Sequence, residues 1–119
     1  MATASTGQAT YAPGATVSIQ GSASNRGTGP CILKGGGPPL TWTIRNAAGQ
    51  EVVQLAHAAM IWADRAVQPG ESVPLTTSWD QRTCVDTCAQ APPGTYTLVI
   101  TWTFEVGTVG ASSSFTVTE

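Results

Sequence analysis

The stretch Gly94-Thr95-Tyr96-Thr97-Leu98-Val99-Ile100-Thr101-Trp102-Thr103-Phe104 decides the fold. Tyr96, Leu98, Ile100, Trp102 and Phe104 occupy every second position, with Thr97, Val99, Thr101 and Thr103 between them. A period of two sends successive side chains to opposite faces of a pleated strand, a surface that suits β-branched and aromatic residues. On a helix the same residues would scatter around the circumference. The pattern therefore predicts a strand with one large apolar face turned inward. Pro92-Pro93-Gly94 before it and Gly107 and Gly110 after it are turn signals.

The same period recurs outward in both directions. Val17, Ile19, Gly21 and Ala23 alternate with Thr16, Ser18, Gln20 and Ser22, after the turn signal Tyr11-Ala12-Pro13-Gly14. Leu40, Trp42 and Ile44 alternate with Thr41, Thr43 and Arg45. Asn46-Ala47-Ala48-Gly49 then turns the chain and Glu51-Val52-Val53-Gln54-Leu55 returns, a β-hairpin signature. Val73, Leu75, Thr77 and Trp79 share one face after Gln68-Pro69-Gly70-Glu71, and Phe115 and Val117 point inward in the last strand. Two readings compete at 56–67. Leu55, Ala58, Ala59, Trp62 and Ala66 would line a helical face, whereas Met60-Ile61-Trp62 reads as a short buried strand. Strand is preferred, because strands surround it. Residues 1–8 are small and polar and are expected to form a flexible N-terminal segment. The stretches 25–39 and 81–93 are read as loops. Residues 9–119 form one domain.

The resulting fold class is all-β: an immunoglobulin-like antiparallel β-sandwich of about seven strands with Greek-key connections, each burying one face against the opposite sheet. Tyr96 stands where such a fold places its tyrosine corner, at the start of the penultimate strand. Trp42 and Trp102 fall in inward phase and are assigned to the core. Trp62 and Trp79 are candidates for a binding surface.

Composition narrows the function. The 119 residues are 41% hydrophobic but only 10% charged, against roughly 25% charged in an average soluble protein. A net charge of −2, with one lysine and four arginines, is no footprint for nucleic acid or an anionic membrane. No apolar run approaches the roughly 20 residues of a spanning helix. No signal peptide is legible at Met1-Ala2-Thr3-Ala4-Ser5-Thr6. The Ser/Thr/Gln/Gly-rich polar surface nevertheless points to an extracellular or cell-surface location, with a cytoplasmic one as the alternative.

Cysteine usage bears on the same question. Cys31, Cys84 and Cys88 are an odd set, so one thiol is left over if a disulfide forms. A Cys84–Cys88 bridge closes a short loop and stabilises by about 2 kcal/mol; Cys31 with either partner closes a far longer one and stabilises by about 4 kcal/mol. Spacing does not choose between them.

No residue set supports catalysis. His57 is the only histidine and stands in an alanine-rich stretch with no Gly-x-Ser-x-Gly nearby. Cys84, Asp86 and Cys88 lack a fourth metal ligand. The acids Glu51, Asp64, Glu71, Asp80, Asp86, Glu105 and Glu119 are scattered. No cofactor is implied, no metal site is predicted, and the chain is read as not an enzyme. Asp80-Gln81-Arg82 is read as turn chemistry in preference to a side-chain network capping the strand end.

Several segments together resemble a known family. They are Tyr11-Ala12-Pro13-Gly14 with Val17 and Asn25; Trp42-Thr43-Ile44 with Gly49-Gln50-Glu51-Val52; Pro69-Gly70-Glu71-Ser72-Val73-Pro74-Leu75 with Trp79-Asp80-Gln81; and Pro93-Gly94-Thr95-Tyr96-Thr97-Leu98. Over roughly residues 10–104 the chain resembles the BsuPI-type intracellular proteinase inhibitor domain family and its secreted bacterial relatives. The resemblance implies an immunoglobulin-like scaffold and, as one activity, proteinase inhibition.

Two functions are therefore weighed. The first is a non-catalytic binding or structural module on the outside of a bacterial cell. Its partner would be a protein, such as a surface or assembly component, and its sheet edges are open to self-association. The second is a proteinase inhibitor acting through an exposed loop, either Cys31-Ile32-Leu33-Lys34 or 84–88. Candidate contact residues are Ile32, Leu33, Lys34, Trp62 and Arg82.

Overall fold

The structure is a computed structural model. It describes every residue except 1, 36, 62–63 and 85–87, and only the backbone at 37–38, 54–61, 84 and 88. Among the described residues there is no helix. The strands are β1 (Ala2–Thr6), β2 (Thr10–Tyr11), β3 (Val17–Ser24), β4 (Cys31–Leu33), β5 (Gly37–Arg45), β6 (Glu51–Ile61), β7 (Arg65–Val67), β8 (Ser72–Trp79), β9 (Arg82–Cys84), β10 (Cys88–Gln90), β11 (Gly94–Phe104) and β12 (Gly107–Val117). The all-β class read from the alternation holds, and the ambiguous 56–67 stretch continues β6 to Ile61 and contains β7.

One layer is the antiparallel sheet β1-β3-β8. The other is built on β11. Its one edge carries β12 along the whole strand; its other edge carries β5 from Thr97 to Trp102 and then β4 at Phe104. β6 extends the sheet beyond β5, β7 beyond β4, and β2 runs parallel to β12. β9 and β10 form a separate hairpin.

Alternation places the core between the layers. Val17, Ile19 and Ala23 of β3 and Val73, Leu75 and Trp79 of β8 are buried on one side. Leu98, Ile100 and Trp102 of β11, Leu40, Trp42 and Ile44 of β5, and Phe115 and Val117 of β12 are buried on the other. A fully buried side chain of this kind contributes roughly 1.5–3 kcal/mol. The layers touch closely at one point. A Cβ on Gly21 would lie 2.6 Å from Ile100 Cδ1, 3.0 Å from the Thr3 carbonyl oxygen and 3.1 Å from Trp102 Cη2. The absence of a side chain there lets Trp102 lie flat enough for its indole to donate to the Val73 carbonyl at 3.1 Å, a direct bond between the layers.

Tyr11, Trp79, Tyr96 and Phe115 form an aromatic cluster, with Tyr96 stacked on Phe115 at 5.9 Å and Trp79 tilted against Tyr96 at 5.6 Å. The Tyr96 hydroxyl donates to the Pro92 carbonyl four residues upstream at 2.5 Å, the bond of a tyrosine corner. Burial pushes the Tyr96 phenol up from its usual range near 10.

Some expectations change. Within the N-terminal run expected to be flexible, residues 2–6 pair as β1 at the sheet edge, Ala2 and Ala4 packing partly onto the core. The stretch 25–39 is interrupted by β4, and 81–93 by the β9–β10 hairpin. Trp79 is core, not surface, because its position on β8 points into the aromatic cluster. Trp42 and Trp102 are buried as expected.

Because Tyr96 ionises less readily folded than unfolded, its contribution to stability is complete below about pH 10 and declines as pH rises past it. Tyr96→Phe should lose about 1 kcal/mol at neutral pH. Urea titrations across the alkaline range should show the gap between wild type and Tyr96→Phe closing above about pH 10. A gap that stays constant contradicts a buried phenol.

Candidate functional site

The two ends of the sandwich differ in kind. At one end lies the turn leaving β8. Gln81 sits there at φ 61° with no exposed surface. Its amide nitrogen donates to the carbonyls of Ala12 at 2.9 Å and Ala15 at 2.8 Å. Its amide oxygen accepts from Gly14 N at 3.1 Å and Gln90 Nε2 at 3.0 Å. Its own carbonyl accepts from Ala91 N at 2.7 Å. Asp80 Oδ1 accepts from Arg82 N, and the Trp79 indole donates to the Arg82 carbonyl. Asp80-Gln81-Arg82 is thus a side-chain network as well as a turn. Beside this network a small hollow of about 190 Å³ opens between Asn46-Ala47-Ala48 and Pro92-Pro93-Gly94, lined by small side chains and backbone.

At the opposite end β11 meets β12 through the two-residue turn Glu105-Val106, since Phe104 pairs with Gly107. Gly107, at φ 143°, supplies a conformation in which a side chain would be strained. Val106 stands at the tip with 92% of its surface exposed, and Val109 below it is 37% exposed. Beside them the chain leaves β3 through Asn25, which is buried. Its side-chain amide donates to the carbonyls of Gly29 at 2.9 Å and Val67 at 2.8 Å, and its side-chain oxygen accepts from Gly27 N at 2.9 Å. Its backbone bonds to Glu71 and Gly70. This pins the 25–29 segment without burying it.

Between the hairpin and that segment opens a cleft of about 350 Å³. Ala23, Cys31 and Phe104 line it, Val106 and Val109 form one wall, and Asn25, Arg26 and Gly27 the other. It is mostly apolar, with the exposed Arg26 as its one cation. Its chemistry suits an apolar group flanked by a negative charge; nothing in it can act as a nucleophile–base pair. Among the described residues no group of three or more His, Cys, Asp or Glu side chains could hold a metal.

The residues singled out from sequence are not brought together. Ile32 is half-buried and Leu33 buried in β4, a strand bonded to β7 on one side and β11 on the other. Leu33 is therefore core, and 31–33 is not the protruding loop that a protease cleft would accept. Lys34 is exposed, its N–H donating to Thr103. Arg82 is exposed next to Trp79, which packs on Tyr96, so the two cations are on the order of 20 Å apart along β11. Trp62 and the side chain of His57 lie outside the described residues, as does residue 86. Cys31 carries a free, half-buried thiol, so the long closure to Cys84 or Cys88 is not made. Cys84 and Cys88 are placed opposite each other in the β9–β10 register.

Val106 and Val109 escaped the sequence reading. The available signal was the turn itself: a β-branched apolar residue between Glu105 and Gly107, where turn chemistry favours polar residues.

The chain matches no family model and no curated protein. It is similar in structure to part of the alkylpurine DNA glycosylase AlkC of Pseudomonas fluorescens, at TM-score 0.60 and 10% identity over 100% of this chain and 29% of that one. It is likewise similar to part of a β-glucosidase from Listeria innocua, at TM-score 0.55 and 11% identity over 100% of this chain and 16% of that one. The sporulation control protein Spo0M of Bacillus subtilis matches at TM-score 0.51 and 14% identity over 98% of this chain and 48% of that one. At such identities the likeness is of fold alone, and this chain spans less than half of each of the three proteins.

The Gln81 network generates a stability prediction. Gln81→Leu keeps the volume but leaves two carbonyls, one backbone N–H and the Gln90 amide without their partner. An unpaired buried polar group costs about 1–3 kcal/mol, and because these partners lie on exposed or half-buried residues that water can partly reach, Gln81→Leu should lose about 2–3 kcal/mol in all. The check is the urea midpoint; a loss below about 1 kcal/mol would show that water replaces the amide without penalty.

Proposed function

We propose that the chain is an immunoglobulin-like, non-catalytic binding or structural module that works on the outside of a bacterial cell and makes its contacts at the β11–β12 end. The immunoglobulin-like, Greek-key assignment is supported by β1-β3-β8 facing β12-β11-β5-β6, by the parallel β2–β12 pair and by the tyrosine corner. The family resemblance to BsuPI-type domains supports the same scaffold. Low charge and solvent-side rows such as Thr97, Thr101, Ser112 and Ser114 favour the extracellular location. No helix among the described residues is long and apolar enough to cross a membrane.

The observation that carries the reading is Val106: an apolar side chain held almost entirely in water at the tip of a rigid hairpin, above an apolar cleft. Covering such a residue gains roughly 1.5–3 kcal/mol. The ordering cost is small, because two paired 11-residue strands and the Asn25 bonds already fix both walls. Interface energy concentrates in a few well-placed anchors, and this end has the form of one. Proteinase inhibition, the alternative, would fall to 84–88, since 31–33 lies within the sheet.

An amide-resolved NMR titration with small apolar probes, indole and isobutanol, tests this reading. Shifts should cluster at Ala23, Gly27, Cys31, Phe104 and Val106, and Val106→Asp should abolish them while leaving the remaining spectrum intact. Shifts scattered over the surface overturn the proposal. So does stoichiometric inhibition of a serine protease that Val106→Asp leaves unchanged.

A further inference from the structure

The valine-tipped hairpin and the hollow beside it belong to the same end of one molecule, so a two-fold contact at that end brings each hairpin to the hollow of the other copy. We propose that the partner seated in the cleft is a second copy of this chain, in a two-fold contact where Val106 of each copy enters the cleft of the other. The inference rests on the binding reading of this end and adds the identity of the occupant.

Charge supports the choice. Arg26 stands on one wall of the cleft, and Glu105 immediately precedes the valine that would enter it. Both are exposed. The ion pairs among the described residues are Arg45–Glu51 and Arg65–Glu71, and they involve neither residue. In a two-fold contact, residue i of one copy meets residue j of the other and the reverse also holds. Inserting Val106 therefore carries Glu105 toward Arg26 of the second copy, and the pair forms twice. A net charge of only −2 sets little repulsion against the approach. A large apolar partner is not required, because the apolar surface offered is one valine tip and one valine wall.

The edges of the β1-β3-β8 sheet, another route to self-association, are less open. β1 lies alongside β12, and β8 carries Pro74, which removes a ladder donor. The patch is smaller than the roughly 800 Å² per partner of a stable complex, so the association is weak, with a dissociation constant on the order of 0.1–1 mM.

The test is sedimentation equilibrium and amide NMR from about 20 μM to 2 mM, a span bracketing that constant, with reductant present so that thiols cannot cross-link copies. Wild type should dimerise, with concentration-dependent shifts confined to 26–27, 31 and 104–109. Val106→Asp should stay monomeric. Arg26→Glu and Glu105→Arg should each weaken association at least about fivefold, and the double variant should restore it to within about twofold, since the exchanged pair re-forms across the axis. A wild-type monomer throughout, with apolar probes still clustering in the cleft, overturns the self-association and leaves the binding reading standing. Association that survives Val106→Asp, or charge swaps that fail to compensate, overturns the proposed contact.

Discussion

A glutamine side chain with no exposed surface ties three separated parts of the chain to one point. Gln81 uses both amide hydrogens on the 12–15 turn and both oxygen lone pairs on Gly14 and Gln90, so its hydrogen-bonding capacity is fully met. In the low dielectric of the interior, each bond is stronger than in water and each missing one costs more. The residue is held at positive φ, a strained position for a side chain this size, and the network compensates that strain. The turn before β3, the exit of β8 and the segment leading to β11 are fixed relative to each other through this one amide. The aromatic cluster beside it depends on that placement, because Trp79 and Tyr96 enter it from either side of the Gln81 turn.

Asn25 does similar work at the other end with a different result. Its amide also bridges segments far apart in sequence, reaching from the end of β3 to Val67 in the other layer. Yet it stops short of sealing the structure: Arg26 and Gly27 stay exposed and Val106 stands clear of the core. Two buried amides thus anchor two unlike ends, one with a small hollow and one with a larger cleft beneath an exposed valine. The Gln81 end offers only small apolar groups, Ala47, Ala48, Pro92 and Pro93, around a hollow of about 190 Å³, while the other end exposes Val106, the most accessible large hydrophobic among the described residues.

Much of the scaffold was legible in the sequence because its long strands bury one face against another layer. β3, β5, β8 and β11 each carry apolar residues at every second position, and a one-residue slip would turn that whole set to water. β1 was not legible: Ala2 and Ala4 are too small to mark a buried face, and only the register with Ala23 and Gly21 makes them one. β4 and β7 span three residues each, too short for any period to show. Leu33 looked like a contact residue because its neighbours are glycines and a lysine, yet pairing on both sides of β4 takes it inside. The burial of Gln81, read only as turn chemistry, and the exposure of Val106, which the sequence reading did not single out, were not legible for opposite reasons. Polarity says surface and hydrophobicity says core, but burial at a turn is decided by where the two flanking strands aim it, which is a tertiary fact.

The parallel pairing of β2 with β12 has a mechanical meaning. It sets Thr10 and Tyr11 beside Thr116 and Val117, with bonds from Thr116 N to the Ala9 carbonyl and from Thr118 N and Oγ1 to that of Tyr11. Two strands running the same way, one near each terminus, slide lengthwise past each other when the termini are drawn apart. Once tension has passed β1 and its pairing to β3, it loads these bonds simultaneously in shear instead of peeling them one at a time, with β11 and β12 behind them. A domain tethered at both ends would resist stretching as a single clasp, with the Val106 hairpin still intact under load.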